Sequence, residues 1–434
     1  MIKKTLKRAV ILLLEKEARA VLRKYKPKIV AITGSVGKTS TKDAVYTALS
    51  RFYNCRKSQK SQNSDIGIPL TILNIPNAGS NFLLWLKNLI NGLVLILLPH
   101  YYPEWLVLEV GTDTPGDIEK VSRWLKPDIV VVTKLSKVPV HIEFFSSPEE
   151  VFKEKGNLVK ALKPGGTLIL NADDSDVMDF KELTKEKIVL FGEASNADVS
   201  VQNYEVVYDE NNLPKGVSFG VLDGEETLPI YLEGTVGKHH VYHIISALAV
   251  CKALGEPLSV ALKNFKYHEP TPGRMRLIEG EKGSIIIDDS YNSSPIALDE
   301  ALNTLQDLKG TGGRKIAVLG DMLELGKYSV DEHKKAGAKA GGIADILVTV
   351  GVRARYFTEG AKSAGMGTEQ IFQFSDSKKA GEFMHNKIAQ GDIVLVKGSQ
   401  SGIRMERTVE KIMTHPEDKE KLLVRQDKEW RARK

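Results

Sequence analysis

Nearly unbroken apolar runs recur along the first part of this chain: KIVAIT at 28–33, WLVLEV at 105–110, DIVVVT at 128–133 and GTLILN at 166–171. Runs of this length predict strands buried on both faces of a parallel sheet, and the segments between them have room for crossover helices. From about 198 to 235 the pattern changes to alternation, broken by ENN and DG, which predicts antiparallel strands and hairpins. A helix, HVYHIISALAVCKALG, follows, with Gly255 as its stop. A second α/β series begins near residue 273, with GSIIIDDS, KIAVLGDM, DILVTVG, IFQF and DIVLVKGS as strands. Between the two series lies KYHEPTPGRM, where Pro270, Pro272 and Gly273 cluster and a boundary is expected. The tail from His415 reads as a polar terminal helix.

A chain of 434 residues exceeds one ordinary core, and 42% hydrophobic with 27% charged residues fits a soluble globular protein. The net charge of +6 is mild, and no run interleaves arginine with aromatic residues, so nucleic acid is not an expected partner. Cys55 and Cys251 stand far apart, with neither disulfide nor zinc spacing, and a reducing, cytoplasmic compartment is expected.

The positive charge is concentrated at the start: residues 1–28 hold ten Lys or Arg against two Glu. The apolar core AVILLL is too short for a signal peptide and is ended by Glu15 and Lys16. Residues 1–26 are expected to form a basic amphipathic helix, which suits either an anionic membrane surface or packing on the protein itself. Residues 82–98 are also strongly apolar, but Lys87, Asn88, Asn91 and Gly92 interrupt them, and a span needs about 20 apolar residues. An amphipathic or partly buried helix, then a loop at PHYYPE, is expected instead. Peripheral contact with the inner membrane face through 1–26 and 82–106 follows as an expectation.

The chemistry starts at TGSVGKTS, residues 33–40. Two residues separate its glycines, where the usual phosphate loop has four. The physics is unchanged. Gly34 and Gly37 let backbone N–H groups, with those of Ser35 and Ser40, close on phosphate oxygens at a helix N-terminus. Lys38 brings a charge to the β- and γ-phosphates, and Thr39 a hydroxyl for Mg²⁺. ATP with Mg²⁺ is therefore the expected nucleotide. Glu109 ends a strand, where ligands of an open parallel sheet gather. The expected fold is α/β: a central parallel-sheet P-loop ATPase-like domain at 27–271, and a C-terminal Rossmann-like α/β domain at 272–434.

The shortened loop resembles that of the Mur ligase superfamily of ATP-dependent amide-bond-forming enzymes. The likeness runs from about 27 to 412 through QNSDIGIPLTIL, LEVGTDTPGDIEKVSRWLKPDIVVVT, HIEFFSSPEEVFKEKGNL, PGRMR, IDDSYNSSP, AVLGDMLELG and LVKGSQSGIRMER. Within the superfamily, DDSYNSSP and LGDMLELG are similar to the branch that adds D-alanyl-D-alanine to UDP-N-acetylmuramoyl-tripeptide. The resemblance implies phosphorylation of a substrate carboxylate to an acyl phosphate, attack by an amine, and release of ADP and phosphate. It implies Glu109 as a Mg²⁺ ligand, His141 as a ligand of a second Mg²⁺, and Lys155, not the nearby Lys153, as a carbamate bridging to metal. It implies Arg274 and Asn292 as nucleotide contacts, ahead of Asp288 and Asp289. Asn63 falls in the segment on the substrate side, and Asp321, Lys397 and Ser399 would face the incoming amino acid. Lys38, His141 and Lys155 are thus the catalytic candidates. The implied substrates are a cell-wall precursor peptide and a D-amino-acid dipeptide, handled by a monomer.

Two departures stand out. The family's GxHNxxN helix start is GKHHVYH here, so His240 and His243 replace asparagines; His240 is kept as a nucleotide-contact candidate because an imidazole nitrogen can stand in for an amide. The branch also carries a UDP-sugar-binding domain ahead of the phosphate loop, which is expected to be missing here. Ligation onto another acceptor, and a nucleotide-binding homologue without catalysis, therefore stay open beside the leading reading. A P-loop kinase is a further class, but it gives DDSYNSSP no role.

Overall fold

The computed structural model describes residues 2–59, 62–79, 81–267, 270–310, 312–400, 402–427 and 430, without the side chains of 2–8 and 267. Nine strands form the first sheet: β1 (Lys28–Thr33), β2 (Cys55–Lys57), β3 (Trp105–Glu109), β4 (Ile129–Val132), β5 (Thr167–Asn171), β6 (Lys187–Gly192), β7 (Val199–Tyr208), β8 (Pro214–Asp223) and β9 (Glu226–Glu233). Their order is β2-β3-β1-β4-β5-β6-β7-β8-β9, parallel through β7 and antiparallel from β7 to β9. Six more form the second: β10 (Arg276–Gly280), β11 (Ser284–Asp289), β12 (Lys315–Gly320), β13 (Ile346–Val350), β14 (Ile371–Phe374) and β15 (Ile393–Lys397). Their order is β10-β11-β15-β12-β13-β14, parallel except for β10.

The period-2 geometry of a strand explains the layers. In β1, Val30 and Ile32 point into one core with Val107, Val131 and Ile169, covered by helices Lys38–Leu49 and Lys238–Leu254. Ile29 and Ala31 point into the opposite core with Leu106, Leu108, Val130 and Leu168. The second sheet is likewise covered on both faces, with Ile287, Leu319 and Leu395 on one and Ile286, Val318 and Val396 on the other. Every apolar run anticipated as a strand is one. β2, β6 and β10 were not anticipated: β2 and β10 are short or charged edge strands, and β6 has a mixed burial pattern. The helix that ends at Leu254 is stopped by Gly255 at φ 77°.

The N-terminal helix, Ile2–Tyr25, packs on its own protein: Val10, Leu14, Ala18 and Val21 are buried beneath the first sheet. Lys3, Lys4, Lys7 and Arg8 lie outside the described side chains, as do His268 and Glu269 of the expected boundary. Helix Phe82–Leu97 runs beside it. Glu17 meets Gly92, and Lys24 and Tyr25 donate to the carbonyls of Leu95, Ile96 and Leu98, so the two helices point the same way. Among the described residues no helix is long and apolar enough to cross a membrane. The tail corrects an expectation. Helix Lys419–Leu422 does not run on, because Leu423 and Arg425 turn inward, Leu423 onto the apolar core and Arg425 onto the buried Glu406.

Glu17 is buried, and its Oε2 has no hydrogen-bond partner among the described residues. Burial pushes its pKa up to about 7. The folded state therefore binds a proton that the unfolded state releases near pH 4.5, and stability falls as pH rises from there to about 7. Glu17→Gln is expected to resist urea better than the parent at pH 8, by roughly 2–3 kcal/mol, and to differ little at pH 5. Equal midpoints at pH 8 would show that Glu17 is solvated when folded.

Candidate functional site

The strand β1 ends in the glycine loop, and the loop is sewn onto the end of β4. Ser35 N donates to Lys134 O at 2.7 Å, Thr133 Oγ1 donates to Val36 O at 2.6 Å, and Ser136 N donates to Ser35 Oγ at 3.2 Å. Glycine is required twice. Gly34 sits at φ 146°, where a Cβ would lie 2.0 Å from Thr133 Oγ1. Gly37 caps helix Lys38–Leu49 at φ 82°, where a Cβ would lie 2.9 Å from His243 Nε2. The backbone is thus held open at the N-terminus of a 12-residue helix, the geometry that receives phosphate.

Two lysines, Lys155 buried and Lys38 half-buried, converge on one carbonyl. Lys38 Nζ donates to Gly34 O at 2.9 Å, and Lys155 Nζ, from helix Pro148–Lys160, donates to the same oxygen at 3.0 Å. Burial lowers the Lys38 pKa and the Arg274 charge adds to that, while Glu109 and Asp113 act the other way. Burial, then the Lys38 charge, drives Lys155 well below an ordinary lysine, with Glu154 opposing. Lys153 is exposed, so the geometry separates the two lysines that the sequence left adjacent.

Glu109, at the end of β3, is buried. It accepts from Thr39 Oγ1 at 2.9 Å and from Asn63 Nδ2 at 3.0 Å. A hydroxyl and a carboxylate side by side make an oxygen site that suits Mg²⁺, which keeps waters and phosphate oxygens and needs few protein ligands. No cluster of three or more acidic, histidine or cysteine residues able to hold a metal alone occurs among the described residues. This set fits the nucleotide-bound form of Mg²⁺. His141, at φ 67°, stands with Nε2 3.4 Å from Asp113 and Nδ1 2.7 Å from Glu324.

These groups face the second sheet across a cleft of about 1580 Å³ that Arg274, Asn292, Lys397 and Ser399 also line. Arg274 lies over the Tyr291 ring at 4.2 Å. Lys397 is buried, paired with Asp289, and donates to Asn292 O at 3.0 Å. Asn292 Oδ1 accepts from Ser293 N at 2.9 Å and Gln400 N at 3.3 Å. Ser399 Oγ accepts from Leu323 N at 3.0 Å. Asp288 is turned inward, taking N–H groups of Gly273 and Ser290, and burial raises it to about 6. From outside, Arg425 donates to Ser290 O at 3.2 Å and also to Tyr291 O, while pairing with buried Glu406 at 2.9 Å. Among the described residues, Lys134 pairs across the cleft with Glu300 of helix Pro295–Asp307 at 2.6 Å, and His141 Nδ1 lies 2.7 Å from a Glu324 carboxylate oxygen.

Two expected contacts fall away from the cleft. His240 turns to Thr235 Oγ1 at 2.7 Å, while His239, one residue earlier on the same helix turn, lines the cleft with His243. Asp321 points at the turn after β13, accepting from Ala354 N at 2.6 Å, and it anchors that loop. Residues that sequence reasoning did not single out are His239, Asp113, Tyr291 and Glu324. Doubled histidines flagged the first only without its phase. Glu324 is joined to His141 across 183 residues of chain, which no local pattern reveals.

Two family models match the chain: the Mur ligase middle domain over residues 32–85 and 93–251, and the Mur ligase, glutamate ligase domain, over 273–400. UDP-N-acetylmuramoyl-tripeptide–D-alanyl-D-alanine ligase of Bacillus subtilis is 28% identical over 404 residues, 93% of this chain and 79% of that protein. The Escherichia coli enzyme of the same name is 28% identical over 392 residues, 89% of this chain and 77% of the relative. The crystal structure of MurF ligase from Thermotoga maritima in complex with ADP superposes with a TM-score of 0.74 at 25% identity, covering 93% of this chain and 83% of that one.

Proposed function

The chain belongs to the Mur ligase family, and from that premise we propose that it joins D-alanyl-D-alanine to UDP-N-acetylmuramoyl-tripeptide at the expense of ATP, in peptidoglycan precursor synthesis. The relatives carry that activity in their names. The observation that carries the reading is the convergence of Lys38 and Lys155 on Gly34 O, beside the Thr39–Glu109 pair, opposite Asn292 and Lys397.

In this reading the glycine loop and Lys38 hold the triphosphate. Positive charge at Lys38 meets the charge that builds as the terminal phosphoryl group moves to the tripeptide carboxylate. Thr39 and Glu109 would hold Mg²⁺, His141 would serve a second Mg²⁺ and a carbamate on Lys155 would be a further anionic ligand; the metal would supply charge neutralisation. Lys155 is suited to that modification. Its neutral amine, favoured by burial and by Lys38, adds to CO₂ and loses a proton to become an anionic carbamate. Lys397, fixed by Asp289, and Ser399 shape the amino-acid side, where the dipeptide amine attacks the acyl phosphate and inorganic phosphate leaves. Arg274 and Tyr291 form the platform for the nucleoside, with Asn292 beside it. Residues 27–271 and 272–434 act as two units around the cleft. The enzyme works as a monomer in the cytoplasm, at the inner membrane face.

The test is phosphate release from ATP and Mg²⁺, with each substrate alone and with both. Release that requires both, together with the pentapeptide product by mass spectrometry, is the expected result. Release stimulated by a different peptide pair would move the reading to another acceptor. Nucleotide binding with no release under any pair would overturn it.

A further inference from the structure

We infer that helix Phe82–Leu97 and the adjacent N-terminal helix form a docking face for an anionic lipid bilayer, on which the protein lies without crossing it. The inference deepens the membrane-face placement proposed above and is independent of the ligase chemistry.

A surface helix normally shows one apolar stripe, facing the core. Helix Phe82–Leu97 has two. Its inner side is held by Trp85, Leu89, Leu95 and Ile96 against the core beneath the first sheet, and by Asn88, whose Nδ2 donates to Pro76 O at 2.8 Å. Its outer side repeats at 83, 86, 90, 93 and 97, the i, i+3, i+4 spacing of a continuous face. There Leu83 and Leu97 are each 75% exposed, Ile90 is 52% and Leu93 is 50%. Phe82, Leu98 and Tyr101 extend the face at its ends, and exposed Leu12 and Leu13 continue it on the neighbouring helix. Contiguous apolar surface of this kind marks an interaction site.

Charge selects the occupant. Residues 1–28 hold ten Lys or Arg against two Glu, while the whole chain carries only +6, so the remainder is net acidic. Lys16, Arg19 and Arg23 are exposed on the helix that bears Leu12 and Leu13. A second copy of the chain would bring two such basic segments together, which like-charge repulsion opposes. An anionic bilayer instead matches both features, the leucines entering the acyl boundary and the cations meeting headgroups. Lys87, within the outer face, reaches the headgroup level with its stem along the apolar surface. At about 1.5 Å per residue the 16-residue helix spans roughly 24 Å, short of the hydrocarbon thickness of about 30 Å.

Flotation of the full chain with vesicles tests this. The protein is expected to float with mixed phosphatidylglycerol–phosphatidylcholine vesicles at low salt, and at least about tenfold less with phosphatidylcholine alone or in 1 M salt. Leu83→Gln/Ile90→Gln/Leu97→Gln, all at exposed positions, is expected to lower partitioning at least about tenfold. Lys16→Glu/Arg23→Glu is expected to remove the preference for anionic lipid. Both variants should keep the parent's nucleotide affinity, which separates lost docking from lost fold. No flotation at low salt, or flotation that the leucine variants leave unchanged, overturns the inference. So does a concentration-dependent dimer, abolished by the same leucine changes, in place of vesicle binding.

Discussion

Lys38→Met is expected to lower ATP-dependent phosphate release by roughly 10²–10³-fold or more, because a preorganised charge in a dry site is among the largest single contributions an enzyme makes. The substitution keeps the length of the side chain and removes one of two donors from the Gly34 carbonyl, so thermal stability should stay close to the parent's. The structure adds a finer expectation. With Lys38 gone, the principal charge that depresses Lys155 is also gone, and Lys155 should bind a proton more readily. Nucleotide affinity should fall as well, with a smaller salt dependence. A variant with parental turnover would mean that the Gly34–Lys38 loop does not hold the transferring phosphate.

Lys155→Met is expected to cost about 10²-fold or more in turnover while leaving nucleotide binding within a few-fold of the parent. Lys155 sits behind the phosphate loop on Gly34 O and does not belong to the helix N-terminus that cradles phosphate. Its role in this reading depends on becoming an anion. Parent protein equilibrated with ¹³C-bicarbonate should show a carbamate carbonyl resonance that Lys155→Met lacks, and Lys153→Met should keep both the resonance and the activity. Loss of the resonance in Lys153→Met with Lys155→Met unaffected would reverse the assignment. A parent without the resonance but with full activity would remove the carbamate from the mechanism.

Those two lysines mark how far the sequence could be read. The phosphate loop was legible because its determinants are local: an apolar strand, two glycines, a lysine and a threonine lie within a dozen residues. The central parallel strands were legible because burial on both faces leaves no alternation to misread, and β6, half-exposed along one side, was not. β2 and β10 were not, since an edge strand of three or five residues, CRK or RLIEG, carries too little apolar signal. The phase of the helix after Gly237 was also hidden. Which of His239 and His240 meets the cleft depends on a backbone at φ 105° that no letter encodes. Asp321 shows the converse error. A carboxylate at the end of a strand suggests ligand contact, but here the nearest unsatisfied N–H groups belong to the turn at 351–354, and it caps them.

The strand order also has a consequence for how the protein is made. β1 lies between β3 and β4, and its loop is sewn to Thr133 and Lys134. The nucleotide cradle therefore cannot assemble on the ribosome until about a hundred residues beyond it have emerged. It can be complete, with Lys155 in place, while the second sheet is still untranslated. During that interval the nascent chain already carries the outward leucines of helix Phe82–Leu97 and the basic segment ahead of it. Those leucines stay outward in the finished chain, so completing the second sheet does not cover them, and the clustered positive charge opposes association between neighbouring nascent chains from the start.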